Sequence, residues 1–244
     1  MSKYALAFLT FLAGTSMLQA AAVSYDFTTS PATTTGTGFS NTFSYLNNGV
    51  TVTITGWGTT GTGGALQHGQ MGFYSGLGLG VCNQSETLNC SSPNHQVDNA
   101  SNYDFVLFQF SKPLDPATVS IIPYGYYDRD VTYYVGNTAN ALDLTGKKLS
   151  DLAAVGFSAA INDDSTPAYF VGRTVNLNSG IVNSLLFGAR VGGDTSPDYF
   201  KISGMTGETP NVPEPGTFGL LAGGSLLALV AGKLRRRSKT TDTE

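Results

Sequence analysis

Charged side chains are scarce in this sequence of 244 residues, of which they make up 12%. That share is about half of what an ordinary soluble protein carries. The shortage excludes a coiled coil and a chain kept disordered by its own charge, since both are rich in charged residues. Hydrophobic residues reach 41%, and 30 glycines are present. We therefore expect a folded chain, with a length that allows one large domain or two small ones.

Positive charge is nearly missing from the middle of the chain. Between Ala21 and Val212 there are seven Lys and Arg residues against fourteen Asp and Glu residues, a formal charge of −7. The remaining basic residues are Lys3 and a group between residues 233 and 239. An acidic middle of this kind excludes nucleic acid as a partner, because phosphate contacts need clustered cations.

Long apolar runs are confined to the two ends. Residues 1–22 combine Lys3, an apolar run at residues 4–12 and the small residues Ala20 and Ala22. This is the pattern of a secretory signal peptide that is cleaved after Ala20 or Ala22. The apolar run is too short to span a bilayer comfortably, so we expect the chain to be exported.

The C-terminal run has a different pattern. Residues 216–232 carry no charge, and their number is at the lower limit for a transmembrane helix. A basic cluster follows at once, and by the positive-inside rule it stops transfer and stays in the cytoplasm. The cluster consists of Lys233, Arg235, Arg236 and Arg237. An ordinary C-terminal membrane anchor is one interpretation of these residues.

Directly before this run stand Val212, Pro213, Glu214 and Pro215, where the two prolines keep the chain extended. The motif, the apolar run and the basic cluster, in this order, resemble the PEP-CTERM sorting signal. In that family the signal is recognised by an exosortase, a membrane-embedded, cysteine-dependent enzyme of Gram-negative bacteria that produce exopolysaccharide. The resemblance implies a transient membrane anchor, a cut near the motif, and a product that is secreted or attached to the cell surface. The same tail resembles the C-terminal segment of ice-binding proteins.

The middle of the chain has the short alternating runs of β-strands. Asn48-Gly49 predicts a hairpin between strands at residues 42–46 and 50–57. The run at residues 104–110 is apolar on both faces and predicts a central strand, which Lys112-Pro113 should end. Further strands are predicted at residues 118–123, 131–135, 155–161, 169–177, 184–191 and 199–203, with one helical turn at residues 150–154. Residues 28–42, rich in Ser, Thr and Gly, predict a loop or spacer.

These features predict an all-β fold, a single β-sandwich or jelly roll. Residues 76–205 are also loosely similar to a recurrent extracellular β-sandwich of PEP-CTERM proteins, a resemblance that implies architecture and no agreed activity. The predicted organisation is a signal peptide (1–22), a Ser/Thr-rich segment (23–42), a β-sandwich domain (43–207), a linker with the sorting motif (208–215), a transmembrane helix (216–232) and a basic cytoplasmic tail (233–244).

Cys82 and Cys90 are the only cysteines. In an exported chain such a pair predicts a structural disulfide. Two free thiols or a metal-binding pair are the alternatives, but no histidine stands at ligand spacing from either residue.

The carboxylates are mostly aspartates, which suit both turns and hard cations. A sandwich could bring Asp98, Asp128 and Asp130 together, and with loop carbonyls they could supply the six to eight oxygens that Ca²⁺ takes. The alternative is that they cap turns and cover the surface. No EF-hand spacing occurs, and we expect no other cofactor.

Catalytic patterns are missing. The two histidines are His68 and His95, and neither a G-x-S-x-G nor an H-E-x-x-H motif is present. We therefore predict that the protein is not an enzyme. An extracellular hydrolase that uses His95 is an alternative.

Aromatic residues offer a binding function instead. Tyr126-Tyr127 and Tyr133-Tyr134 are adjacent pairs, and one member of each should face outward if both lie on strands. Exposed rings can stack on sugars, so a carbohydrate-binding module, with or without Ca²⁺, is an alternative function. Ice binding would need a regular Thr-x-Thr array, and residues 51–55 supply only one short run. The sequence thus favours a secreted, non-enzymatic surface or exopolysaccharide-matrix protein with an exosortase and exopolysaccharide as partners.

Overall fold

The computed structural model describes residues 20–86, 90, 95–166, 170–193 and 196–210. Residues Ala21–Pro210 form one compact unit. The apolar run of the predicted signal peptide, the sorting motif, the predicted span at residues 216–232 and the basic tail lie outside the described residues.

Within the described residues the chain forms thirteen β-strands and one short 3₁₀ helix, so the all-β prediction is confirmed. The strands are β1 (Ala22–Asp26), β2 (Thr33–Thr35), β3 (Thr42–Asn47), β4 (Val50–Thr59), β5 (Leu66–Tyr74), β6 (Gly78–Cys82), β7 (Val97–Asp98), β8 (Asp104–Pro123), β9 (Val131–Gly136), β10 (Ile161–Asp163), β11 (Arg173–Asn176), β12 (Val182–Ala189) and β13 (Tyr199–Glu208). The 3₁₀ helix is Leu149–Val155 and matches the predicted helical turn. None of the helical structure in the described part of the chain has the length and apolar character needed to cross a membrane.

The strands build two antiparallel sheets in a sandwich-like arrangement. The first sheet runs β10-β9-β12-β8-β4-β3-β2. In the second, β13 pairs with β8 on one side and with β1, β6 and β7 on the other. β8 belongs to both sheets, because its first part pairs with β4 and its last part pairs with β13 and β11. Strands that change sheet in this way join the two layers at a corner.

The predicted central strand is buried on both faces. Val106 and Phe108 belong to the main core, where the Phe108 ring stacks on Phe27 at 5.7 Å. Phe105 and Leu107 point to the opposite face of the first sheet and pack in a second cluster with Trp57. This second cluster also contains Leu152 of the 3₁₀ helix. Because a hydrophobic cluster packs on each face of this strand, its sequence does not alternate between apolar and polar residues.

Several strand boundaries differ from the sequence predictions. Lys112-Pro113 does not end β8, which continues to Pro123. Ser111, Lys112 and Pro113 are exposed where the strand passes between sheets, a place that tolerates a proline without an N–H. The predicted strand at residues 155–161 is wrong except at Ile161, because the 3₁₀ helix ends at Val155 and Gly156 closes it at a φ of 101°. The loop predicted over residues 28–42 contains β2, which pairs with β3.

Candidate functional site

A disulfide joins Cys82 to Cys90, as the sequence predicts. Cys82 is the last residue of β6, so the bond closes the loop that follows this strand. Glu86 lies within the closed loop, and its backbone N–H donates to the Asn83 carbonyl at 3.1 Å. The disulfide therefore holds Glu86 close to the end of β6.

Three carboxylates converge beside this loop. Glu86, Asp98 and Asp104 each place an oxygen within 4.8 Å of the other two, and we call them the acidic triad. Asp98 ends β7 and Asp104 begins β8, so two of the members are fixed by strands and one by the disulfide loop.

Two oxygens of the acidic triad are buried without a hydrogen-bond partner among the described residues: Asp104 Oδ2 and Glu86 Oε2. Asp104 is completely inaccessible to solvent. Its other oxygen accepts a hydrogen bond from Asn83 Nδ2 at 3.0 Å, and Asp98 Oδ1 accepts one from the Ala100 N–H at 3.0 Å. An unpaired buried oxygen is costly, and native proteins contain few of them.

Burial raises the pKa of all three carboxyl groups. The pKa of Asp98 rises to about 8, first through burial and then through the negative charge of Glu86. The pKa of Asp104 lies well above its usual range, for the same reason and because both other carboxylates are near. Burial also raises the pKa of Glu86. At neutral pH such a group of carboxyls holds either protons or a cation.

A cavity of about 320 Å³ adjoins the acidic triad. Its lining includes Glu86, Asp98, Ser101, Asn102 and Tyr199. The cavity leaves room for water molecules beside the carboxylates and gives access to a small ligand.

A second group of three carboxylates, Asp128, Asp130 and Asp198, is also buried and equally compact. Here backbone N–H groups donate to the oxygens. The N–H of Asp130 donates to Asp198 Oδ1 at 2.8 Å and the N–H of Arg190 donates to Asp198 Oδ2 at 3.1 Å. Asp128 Oδ1 accepts from the Arg129 N–H at 2.8 Å, and Asp130 Oδ1 accepts from the Ser165 N–H. These carboxylates tie loops together.

The three aspartates predicted as Ca²⁺ ligands are therefore divided between two places. Asp128 and Asp130 lie together with Asp198, whereas Asp98 lies with Glu86 and Asp104. Sequence reasoning missed Glu86, Asp104 and Asp198. The one available signal was the charge of Asp104 at the head of a strand that is otherwise apolar.

Exposed rings gather on the loop between β8 and β9 and near residue 170. Tyr124, Tyr126, Tyr127 and Phe170 form what we call the aromatic patch, and Tyr126 is 74% exposed. The Tyr124 and Tyr127 rings are nearly parallel, with centres 6.1 Å apart. The other predicted outward pair is wrong. Tyr133 and Tyr134 are both buried, because β9 is covered on both faces.

His95 contacts a lysine. Its Nδ1 lies 2.8 Å from Lys201 Nζ, and its ring stacks on Tyr74 at 4.5 Å. Burial and the neighbouring lysine lower the pKa of His95. His68 packs against Trp57, with its Nε2 3.8 Å from Asp143 Oδ1.

A family model of the PEP-CTERM protein-sorting motif matches residues 211–237. No curated protein and no solved structure matches the chain. The resemblance of the C-terminal segment is thus confirmed, and the chain carries a PEP-CTERM sorting signal. The signal implies processing by an exosortase and export to the cell surface or the medium of a Gram-negative bacterium.

Proposed function

We propose that this protein is a secreted, non-enzymatic component of the cell surface or the exopolysaccharide matrix, which an exosortase releases from a transient membrane anchor. The observation that carries the proposal is the match of residues 211–237 to the sorting motif. The disulfide between Cys82 and Cys90 supports it, because disulfides persist in the oxidising compartments outside the cytoplasm.

The β domain and the sorting motif are separate along the chain. Among the described residues, the backbone hydrogen bond nearest the C-terminal end of the domain runs from the Thr209 N–H to the Ala21 carbonyl, at 2.9 Å. The motif begins at Val212, so a cut at Pro213, Glu214 or Pro215 removes none of the thirteen strands of the described residues. Processing should leave the folded domain whole.

Glu214→Ala tests the sorting role in a Gram-negative host that has an exosortase. We expect the wild-type protein in the surface or medium fraction without its basic tail, and the variant in the membrane fraction with the tail. Glu208→Gln is the matched control, because Glu208 is an exposed residue at the end of β13 and precedes the motif. Release of Glu214→Ala at the wild-type level would overturn the proposal.

The aromatic patch supports a second function, carbohydrate binding. Rings that lie open on a loop can stack on the apolar face of a sugar, as aromatic side chains do at interfaces. If the patch binds polysaccharide, Tyr126→Ala should weaken retention in an affinity gel that contains the host exopolysaccharide. Leu46→Ala is the control, since Leu46 is 64% exposed on β3. Equal retention of both variants and the wild type would exclude the patch as the binding surface.

A further inference from the structure

We propose that the acidic triad of Glu86, Asp98 and Asp104 is a binding site for Ca²⁺. The inference goes beyond the sorting of the protein and does not depend on it. It rests on the unpaired buried oxygens, on the donor chemistry and on the way in which the surrounding residues fix the three side chains.

The unpaired oxygens are suited to bind a positively charged ligand. Asp104 has no solvent-accessible surface, yet Oδ2 has no donor within the described structure. Glu86 Oε2 is in the same condition. A dication between the carboxylates would pair with both oxygens and offset the repulsion between like charges.

The second carboxylate group differs, because protein hydrogen bonds account for the positions of its side chains. Asp198 receives backbone N–H donors on both of its oxygens, and Asp130 and Asp128 each receive one. A loop-tying role accounts for those three side chains. The acidic triad also accepts from backbone N–H groups, but among the described residues two of its buried oxygens, Asp104 Oδ2 and Glu86 Oε2, still have no donor, so a loop-tying role does not account for them.

The donor atoms select the kind of cation. The triad offers only carboxylate oxygens, the ligands of hard cations such as Ca²⁺ and Mg²⁺. Three carboxylates supply up to about six oxygens, and Ca²⁺ accepts about six to eight in flexible geometry. Mg²⁺ demands a near-ideal octahedron and keeps its water, so this mixed loop-and-strand site should favour Ca²⁺. The adjoining cavity provides an entry path and space for the remaining water ligands.

Asn83 holds the site in shape. Its Nδ2 donates to Asp104 Oδ1 and to the Thr59 carbonyl, while its Oδ1 accepts from the Ser85 N–H at 2.9 Å. One side chain thus joins β8 to the loop that carries Glu86. Gly58 makes this possible, because a Cβ at that position would lie only 2.2 Å from Asn83 Nδ2.

The test is a Ca²⁺ titration of the full chain in detergent after removal of divalent ions, followed by thermal unfolding. We expect a saturable rise in the melting temperature, with a midpoint on the order of 0.1–1 mM, the range of extracellular Ca²⁺ modules. Glu86→Gln should raise the midpoint at least about tenfold, since it removes one of three charged ligands from the least buried position. Glu208→Gln is the matched control and should respond as the wild type does.

Two further measurements distinguish Ca²⁺ bound at the triad from Ca²⁺ bound elsewhere on the chain. Asp128→Asn should keep the wild-type Ca²⁺ midpoint, because Asp128 belongs to the other carboxylate group. Tb³⁺ bound at the triad should emit when the tyrosines of the protein are excited, because Tyr199 lines the cavity and can transfer energy to it, and Ca²⁺ should displace the Tb³⁺. An unchanged melting temperature of the wild type would overturn the proposal. So would equal responses of Glu86→Gln and the wild type, or loss of the response in Asp128→Asn alone.

Discussion

Lys201 is a cation inside the domain, at 3% exposure. Its Nζ donates to the His95 carbonyl at 2.9 Å and lies 3.5 Å from the centre of the Tyr74 ring. Burial lowers the pKa of Lys201 to about 7. The charge on this residue should therefore be a pH-dependent cost to the folded state.

The contribution of Lys201 to stability should rise with pH between about 7 and 10, because the unfolded lysine keeps its proton up to a pKa of about 10.4 whereas the folded one loses it near 7. The gain by pH 9.5 is on the order of 3 kcal/mol. His95 and Tyr74 face Lys201, and the pKa of His95 is lowered while that of Tyr74 is raised, so neither folded group titrates in this window. Asp98 does, because burial raises its pKa to about 8, and its contribution to stability falls as pH rises. Urea unfolding of the wild type and of Lys201→Met at pH 7 and 9.5 measures the gain as the difference between the two proteins.

Lys201→Met is the comparison for this measurement. It keeps much of the aliphatic chain and removes the titrating amine. The change in unfolding free energy from pH 7 to 9.5 should therefore be more favourable in the wild type than in the variant by the contribution of Lys201. An equal gain in the variant would assign the pH dependence to other groups.

The roles of residues were predictable from the sequence wherever they depend only on neighbours along the chain. The cysteine pair and the sorting motif follow from spacing and order alone. The acidic triad does not, because the direction of Asp104 depends on how β8 pairs, and the place of Glu86 depends on how the disulfide loop folds. Those are tertiary outcomes that no short pattern encodes.

At the scale of elements, the disulfide loop links stability to the proposed Ca²⁺ site. The double variant Cys82→Ser, Cys90→Ser should lose about 2.5 kcal/mol of unfolding free energy, because its unfolded chain regains the entropy that closure of this short loop removes. Because the loop carries Glu86, the variant should also need more Ca²⁺ for the same stabilisation. Denaturant unfolding with and without Ca²⁺ measures both effects. A full Ca²⁺ response in this variant would show that the disulfide does not position the ligand.

The first strand bears on where the signal peptide is cut. β1 begins at Ala22, and Ala21 already exchanges hydrogen bonds with Thr209, so cleavage after Ala20 keeps the whole pairing with β13. Cleavage after Ala22 would remove two residues of this pairing. We therefore predict that N-terminal sequencing of the exported protein starts at Ala21. A start at Val23 would contradict the prediction.

Alternating strands such as β4 were predictable, and glycine-rich ones such as β5 and β6 were not. Their glycines weaken the β pattern but permit close approach between chains. A Cβ on Gly80 would lie 1.9 Å from the His95 carbonyl oxygen, so the packing of β6 requires glycine at this position. Glycine is uncommon in strands, which is why the sequence pattern did not predict β6. The extension of β8 beyond Pro113 was missed for a related reason, since a proline ends a strand only where its missing N–H is needed.

At the scale of the whole molecule, charge and location divide along the chain. The acidic residues lie mostly in the β domain, where they outnumber the basic residues by fourteen to seven, and five further basic residues stand close together after the sorting motif. The sorting of the protein was predictable from the sequence, because a sorting signal is a contiguous segment of the chain. The proposed Ca²⁺ site and the aromatic patch required the fold, because each gathers residues from separate segments.

The central claim is that the sorting signal is removed and the β domain remains whole. Intact-mass spectrometry of the protein recovered from the surface or the medium tests it most directly. We predict the mass of a polypeptide that ends near residue 215, retains the Cys82–Cys90 disulfide and lacks the basic tail. Recovery of protein that still contains Arg237 would contradict the account.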